Sequence, residues 1–113
     1  MKKKLEEHIR PIFSHNMRIY QDAAKKVGFN QRQVAHIIGM QEPQWSDLLS
    51  GRRPAPTIWT AVKIAEAFGC SLEALVTTDD KIRQQAVVAV QKRLRQHSIE
   101  RMREQLRELE QSA

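Results

Sequence analysis

The sequence predicts an all-α protein, and three observations support that fold class. The 113 residues include only four glycines and four prolines, and aromatic residues make up 5%. Leu, Ala, Gln, Glu, Lys and Arg, which favour helices, are frequent throughout the chain. Apolar residues recur at spacings of three and four, as on one face of a helix. We therefore expect a domain of five helices and then a long C-terminal helical extension.

A charged arm precedes the first predicted helix. Residues 1–13 are expected to form this basic N-terminal arm, which is either frayed or a short helix that stops near Pro11. A first helix then runs from about Ser14 to Val27, and Gly28 ends it. The residues on its apolar face are Tyr20, Ala23, Ala24 and Val27.

Residues 30–51 predict two short helices joined by a tight turn. Asn30 and Gln33 match a capping box at the start of the second helix. Gly39 supplies the positive φ that a sharp turn after a helix requires. Pro43 fits only the first turn of a third helix. The apolar residues expected to face a common core are Val34, Ala35, Ile38, Trp45, Leu48 and Leu49.

Two further helices follow an extended, proline-rich connector. Thr57 is expected to cap a fourth helix that ends at Gly69, and Ser71 to cap a short fifth helix. We expect the five-helix domain to span residues 14–77 and a helical dimerisation or partner-binding segment to span residues 78–113. The apolar stripes predicted for the fourth and fifth helices are Ile58, Ala61, Val62, Ala65, Phe68, Leu72 and Leu75.

The C-terminal segment contains a seam typical of a coiled coil. Its last apolar residues are spaced by three, four and three. The step from Leu94 to Ile99 is five, so the seam does not run straight through, and His97-Ser98 is expected to mark a break with Ser98 capping a second helix. The predicted dimer interface comprises Val87, Val90, Leu94, Ile99, Met102, Leu106 and Leu109.

Charge is distributed unevenly along the chain. The net charge is +6, which weakly favours a polyanionic partner. Residues 30–76 contain four basic and four acidic side chains, so the excess lies on both flanks. This pattern indicates phosphate attraction from the flanks and discrimination from the middle. For the C-terminal flank, simple solvation of a long helix is an equally good explanation.

Membrane, metal and enzyme functions find no support in the sequence. No run of roughly 18 apolar residues could span a membrane, and the basic start lacks the apolar stretch of a signal peptide. Cys70 is the single cysteine, which excludes an intrachain disulfide or a cysteine metal cluster and fits a reducing cytoplasm. No histidine has a second ligand three or four residues away, and no nucleophile motif is present. We therefore expect no cofactor, no metal and no catalysis.

The region from Met17 to Leu75, about half of the chain, contains a set of short sequence motifs whose positions relative to one another are specific. They are Asn30-Gln31 at the start of the second helix, Ala35, Gly39, Ser46, Leu48, the run Ser50-Gly51-Arg52-Arg53 with Pro56, and the stretch Ile64–Leu75. In these motifs the region resembles the lambda-repressor-like, Cro-type helix-turn-helix domain of the XRE family. The resemblance implies binding of double-stranded DNA, with the third helix in the major groove.

The resemblance also implies which residues contact DNA. Gln44 can pair bidentately with adenine, and an acidic side chain can accept a hydrogen bond from cytosine N4 unless it lies on the solvent side. The base-reading residues implied are Gln41, Glu42, Gln44 and Asp47. The phosphate-binding residues implied are Asn30, Gln31 and Arg32 at a helix start, and Arg52 and Arg53 in a loop, where plain solvation is the alternative for the two arginines.

Two departures from the family pattern matter. Many members pair a buried Arg in the first helix with a Glu before the glycine that ends the third, and these places hold Ala24 and Leu49 here. Replacement of a whole buried ion pair by apolar residues is tolerable, whereas loss of one partner is not. One extra residue between Gly51 and Pro56 leaves the phosphate contacts of that loop open.

Two functions follow from the resemblance and the tail. The first is a homodimeric repressor that binds an inverted-repeat operator, because one short reading helix binds weakly and two half-sites are needed. The second is an antitoxin that holds a toxin through its C-terminal segment and autoregulates its promoter. A stable dimer of the pure chain would favour the first. Either would be a bacterial or phage-encoded cytoplasmic protein at the nucleoid.

Overall fold

Six helices and no strand make up the part of the chain that the structure describes. The structure is a computed structural model that describes the backbone of residues 2–112 and the side chains of residues 7–112. Of the predicted N-terminal arm, the side chains of residues 1–6 therefore lie outside the described residues. The helices are α1 Lys2–Lys26, α2 Gln31–Ile38, α3 Glu42–Ser50, α4 Ile58–Phe68, α5 Leu72–Val76 and α6 Asp80–Ser112.

Helix α1 is longer than the sequence predicted. It continues through Pro11, so the expectation that the helix begins near Ser14 after a proline stop is wrong. Pro11 is exposed, and on that side the carbonyl that loses its N–H partner can be hydrated instead. The buried face of α1 begins at Phe13, which is 2% exposed, and continues through Met17 and Tyr20.

The helix pair α2–α3 folds as its sequence predicted. Asn30 caps α2 by accepting from the Gln33 N–H at 2.9 Å, and the Asn30 N–H donates to the Gln33 side chain at 2.9 Å. Gly39 has a φ of +86°, and the N–H groups of Gly39 and Met40 both donate to the Ala35 carbonyl. These bonds close α2 and set the angle at which α3 leaves.

Helix α3 is fixed to α1 by buried polar contacts. The Trp45 Nε1–H donates to Gln21 Oε1 at 2.7 Å, and Gln21 Nε2 donates to the Phe29 carbonyl at 3.2 Å. Arg18 Nη1 donates to the Leu49 carbonyl at 2.6 Å near the end of α3. Ala24 is 0% exposed and Leu49 is 6% exposed, so the two apolar replacements of the family ion pair are both buried.

The aromatic centre of the core joins α1, α3 and α4. Phe68 makes edge-to-face contacts with Tyr20 and Trp45, with ring centroids 6.1 and 5.9 Å apart. The buried face of α4 consists of Ile64, Ala65 and Phe68. The prediction that Ile58 lies on this stripe is wrong because Ile58, at the first turn of α4, is 62% exposed. In α5, Leu75 is buried as predicted, whereas Leu72 is 43% exposed.

Helix α6 packs along α1 in the same direction. Arg83 Nε donates to Asn16 Oδ1 at 2.7 Å, and Gln91 Nε2 donates to the Ala23 carbonyl at 3.3 Å, so the contacts advance together along both helices. Residues 80–97 are called the packed half here, and residues 98–112 the projecting half. From Ile99 to Ser112 every residue is exposed.

The helix is unbroken at His97-Ser98, contrary to prediction. Because an α-helix has 3.6 residues per turn, the step of five from Leu94 to Ile99 turns the apolar stripe by roughly 140° about the axis. Leu94 is 1% exposed and Ile99 is 50% exposed. The irregular spacing thus marks a change from the core-facing side of one continuous helix to its outer side.

Candidate nucleic-acid interface

The leading end of α3 is the exposed part of a helix that is otherwise anchored in the core. Trp45 is 0% exposed, and Leu48 and Leu49 are also buried. The four residues before Trp45, numbered 41–44, are all exposed, and Pro43 lies in the first turn. A short helix that is fixed by one apolar face and free at its start has the form of a major-groove reading element.

The predicted base reader Gln44 has a local partner in the structure. Its Oε1 accepts from the Gln41 N–H at 3.3 Å, which caps the start of α3. Adenine readout would use both the oxygen and the nitrogen of the amide. The cap is exposed and long, so exchange of this bond for a base contact would cost about 1 kcal/mol or less.

The predicted phosphate contacts at α2 lie on one exposed helix start. Asn30, Gln31 and Arg32 are all exposed. The Asn30 side chain is used to cap Gln33, whereas the first N–H groups of any helix have no acceptor within that helix. Backbone N–H groups and the Arg32 guanidinium therefore face solvent at one place, an arrangement suited to a phosphate.

Asp47 and the two loop arginines form one cluster. Arg53 Nε donates to Asp47 Oδ2 at 3.2 Å, and Arg52 Nε lies 3.6 Å from Asp47 Oδ1. Arg52 Nε also donates to Ser50 Oγ at 2.9 Å. Asp47 was predicted to read bases, but in the structure its carboxylate is directed at the arginines. Such exposed ion pairs contribute roughly 0–1 kcal/mol and exchange easily for phosphate.

Sequence reasoning missed the side chains that hold α3 in place. Gln21 connects α3 to the segment before α2, and Arg18 holds the end of α3. No motif identifies either residue, because their role depends on the crossing of α1 and α3. The spacing of three and four from Leu94 to His97 and Arg101 was also overlooked, and this spacing continues the core-facing side of α6 towards α2.

The predicted dimer residues separate into two groups. Val90 and Leu94 are 0% and 1% exposed within the single chain, and Val87 is half-buried. The contacts of Val90 and Leu94 are made with their own chain, which corrects their assignment to a surface for a second chain, whereas the assignment of Val87 stays a prediction. The four remaining residues, which we call the outer seam, are Ile99, Met102, Leu106 and Leu109, and they are 50–66% exposed.

The described residues bring no three His, Cys, Asp or Glu side chains together that could hold a metal ion. Burial raises the pKa of the Cys70 thiol to about 11, so it is protonated at neutral pH and is a poor nucleophile. Burial likewise raises the pKa of Tyr20 to about 12, and its hydroxyl donates to the Ala74 carbonyl. None of the described helices is long and apolar enough to cross a lipid bilayer.

Comparison with known proteins agrees with this geometry. Residues 21–75, just under half of the chain, match the sequence model of the helix-turn-helix family. The fold and the exposed start of α3 are those of a helix-turn-helix domain. Within the matched residues the chain is similar to the Cro/C1-type, or XRE, family, a family of DNA-binding transcriptional regulators. No curated protein and no solved structure matches the chain significantly.

Proposed function

We propose that the protein is a homodimeric repressor that reads an inverted-repeat operator through the start of α3. The observation that carries this proposal is the contrast within α3, where Trp45 is fully buried and residues 41–44 are exposed. Rigid attachment of a reading helix keeps its side chains in position for base edges. Occupation of an operator by such a dimer would block access of other proteins to the same DNA.

The proposed contacts divide into two kinds. Gln41, Glu42 and Gln44 meet base edges, and the start of α2 and the loop arginines meet phosphates. The Asp47 carboxylate contacts Arg52 and Arg53, and this supports a role for Asp47 in orienting the two arginines rather than in reading a base. Phosphate contacts fix the protein on the duplex, and the α3 contacts select the sequence.

Dimerisation is assigned to the outer seam. Its residues are spaced by three, four and three on the side of α6 that faces away from the core. Four exposed apolar side chains in this pattern are suited to a facing helix with the same pattern. A second copy would place two reading helices on half-sites separated by about one helical turn of DNA, roughly 34 Å.

The proposal is tested by selection from a random duplex library with the full chain, followed by binding to the recovered duplex. We expect an inverted repeat and a dimer on the DNA, as measured by sedimentation of the complex. A chain that stays monomeric and captures another protein through the outer seam would instead support the antitoxin function. Failure to retain any duplex at moderate ionic strength would overturn DNA reading by α3.

Gln44→Ala separates base reading from general DNA affinity. We expect the free energy of binding to the selected duplex to weaken by roughly 1–3 kcal/mol, because one bidentate base contact is lost. Binding to random duplex should change little, since phosphate contacts are kept. Fluorescence anisotropy titrations with both duplexes measure the difference, and Gln96→Ala, an exposed glutamine in the packed half, is the matched control. Equal losses on both duplexes would contradict a base contact at Gln44.

A further inference from the structure

Helix α6 leaves the domain beside the start of α2. The rings of Phe29 and His97 meet edge to face with centroids 6.2 Å apart. Phe29 directly precedes Asn30, the N-cap of α2, and is 7% exposed. This contact places the beginning of the projecting half next to the predicted phosphate-binding end of α2.

A groove of about 600 Å³ lies between α6 and the leading ends of α2 and α3. On the α6 side it is lined by His97 and Arg101, and on the other side by Arg32, Gln41 and Glu42, among others. The residues of the DNA-reading end therefore share one surface with two side chains of α6. This surface is continuous with the proposed interface.

The charge of this groove favours an anion. Arg32 and Arg101 are its arginines, and His36 and His97 also line it, whereas Glu42 is the one carboxylate among its lining residues. The nearby acids of α6, Glu100 and Glu104, line an adjoining groove of about 690 Å³ that faces α4, and Arg101 lies between the two grooves and lines both. In the adjoining groove Lys63, Arg93 and Arg101 are balanced by three carboxylates, so the groove at the leading ends of α2 and α3 has the larger excess of positive charge.

Arg101 does not belong to the outer seam. Leu94, His97 and Arg101 are spaced by three and four, so Arg101 continues the core-facing side of α6. At about 100° per residue, Arg101 lies roughly 140° around the helix from Leu106. A second chain bound at the outer seam would leave Arg101 free.

We propose that Arg101 extends the DNA interface and binds a backbone phosphate that flanks the half-site. This inference rests on the proposed function, because it takes the duplex to lie against the starts of α2 and α3. A guanidinium is suited to the contact since it is always charged and can donate two hydrogen bonds to one phosphate. The projecting half then makes two kinds of contact. Its outer seam makes apolar contacts with a second chain, and Arg101, on another side of the helix, makes a polar contact with DNA.

Two charge-matched variants of the full chain test this proposal. Arg101→Gln removes the proposed contact, and Arg107→Gln removes the same charge on a different side of the projecting half. We expect Arg101→Gln to weaken binding to the selected duplex and to random duplex alike, by about 3- to 10-fold. The slope of log affinity against log salt should fall by about 0.9 for each chain of the dimer, whereas Arg107→Gln should keep the wild-type slope. Sedimentation should show the same dimer for both variants.

A second readout locates the phosphate. The selected duplex is shortened one base pair at a time from its outer end until wild-type affinity falls. At that length we expect the wild-type protein to bind like Arg101→Gln, and Arg101→Gln to be insensitive to the shortening. Equal sensitivity of both proteins, or equal effects of the two substitutions, would overturn the role of Arg101 while leaving DNA reading by α3 intact. A wild-type chain that retains no duplex would overturn both.

Discussion

The two halves of α6 place their apolar residues on different sides of the helix. In the packed half, Ala86, Val90 and Leu94 face α1 and the rest of the core. In the projecting half the apolar residues are the outer seam, and the side that continues from Leu94 holds His97 and Arg101 instead. One continuous helix therefore packs its first half into the domain and leaves the apolar residues of its second half exposed.

The difference shows how a spacing should be interpreted. Apolar steps of three and four keep a stripe on one side of a helix, and a step of five moves it to another side. In this chain the step of five indicates neither a helix end nor a defect in the seam. It lies between the residues that stabilise the monomer and the exposed residues that are available for assembly.

Leu94→Ala should have the largest effect on stability. Leu94 is 1% exposed in the core, and loss of its side chain should lower the free energy of unfolding by about 2–5 kcal/mol through lost burial and a cavity. Urea unfolding followed by circular dichroism measures the loss, which should not depend on protein concentration. Leu106→Ala is the matched control, because Leu106 is 58% exposed.

The control distinguishes folding from association. Any effect of Leu106→Ala on the unfolding midpoint should grow with protein concentration, because it acts on a dimer. An equal and concentration-independent loss for both leucines would show that the projecting half belongs to the folded core. The division between the halves would then be wrong.

Leu106→Asp tests assembly directly. A carboxylate in an apolar helix contact must lose hydration without gaining a partner. We expect the dimer dissociation constant to rise about 100-fold, or about 2.8 kcal/mol, while helical content is kept. Sedimentation equilibrium measures the change, and Gln96→Asp adds the same charge at an exposed site off the seam. If the variant dimerised as tightly as the wild type, the dimer interface would lie elsewhere than at the outer seam.

Much of the fold was accessible from local sequence signals. The capping box at Asn30 and the left-handed turn at Gly39 each depend on a few neighbouring residues, and the structure confirms them. The buried faces of α2 and α3 also follow from spacing alone, as Trp45 and Leu48 illustrate. The helix-turn-helix class was predictable because these signals occur at a joint spacing.

Other features depended on tertiary contacts and were mispredicted. Pro11 does not stop α1, because its position on the exposed side lets water satisfy the freed carbonyl. Ile58 is exposed because it precedes Ala61, where the contacts of α4 with the core begin. Val90 and Leu94 are apolar residues spaced by four, a pattern that suits a dimer interface as well as a core. Only their packing against α1 shows that they lie inside the core of the single chain.

The candidate site was predictable in position but not in detail. The exposed start of α3 follows from the pattern of residues 41–49. The use of the Asp47 carboxylate by Arg52 and Arg53 depends on the path of the loop after Gly51, which contains the extra residue. The proximity of Arg101 to α2 could not be predicted, because it depends on the direction in which α6 runs across the domain. No local sequence signal encodes that direction.

Asn16→Ala sharpens the comparison at the start of the packed half. Asn16 is 0% exposed; its Nδ2 donates to the carbonyls of Leu75 and Thr77 at 3.1 and 2.9 Å, and its Oδ1 accepts from Arg83 at 2.7 Å. The variant removes all three hydrogen bonds of this buried amide and leaves the Thr77 carbonyl with Arg83 Nη2 alone, at 3.2 Å, so the free energy of unfolding should fall by about 1–3 kcal/mol. Urea unfolding measures the loss.

Arg83→Met is the informative control for the anchor at Asn16. It removes one of the three hydrogen bonds of Asn16, the hydrogen bond from Arg83 Nη2 to the Thr77 carbonyl at 3.2 Å, and the ion pair between Arg83 and the exposed Asp80 at 2.8 Å. It keeps both backbone contacts of Asn16. We expect a smaller loss than for Asn16→Ala, because exposed ion pairs contribute little. If Asn16→Ala cost nothing, apolar contacts alone would hold the packed half. A loss within the expected range would show that the contacts of Asn16 with α5 and α6 help to hold the packed half to the rest of the domain.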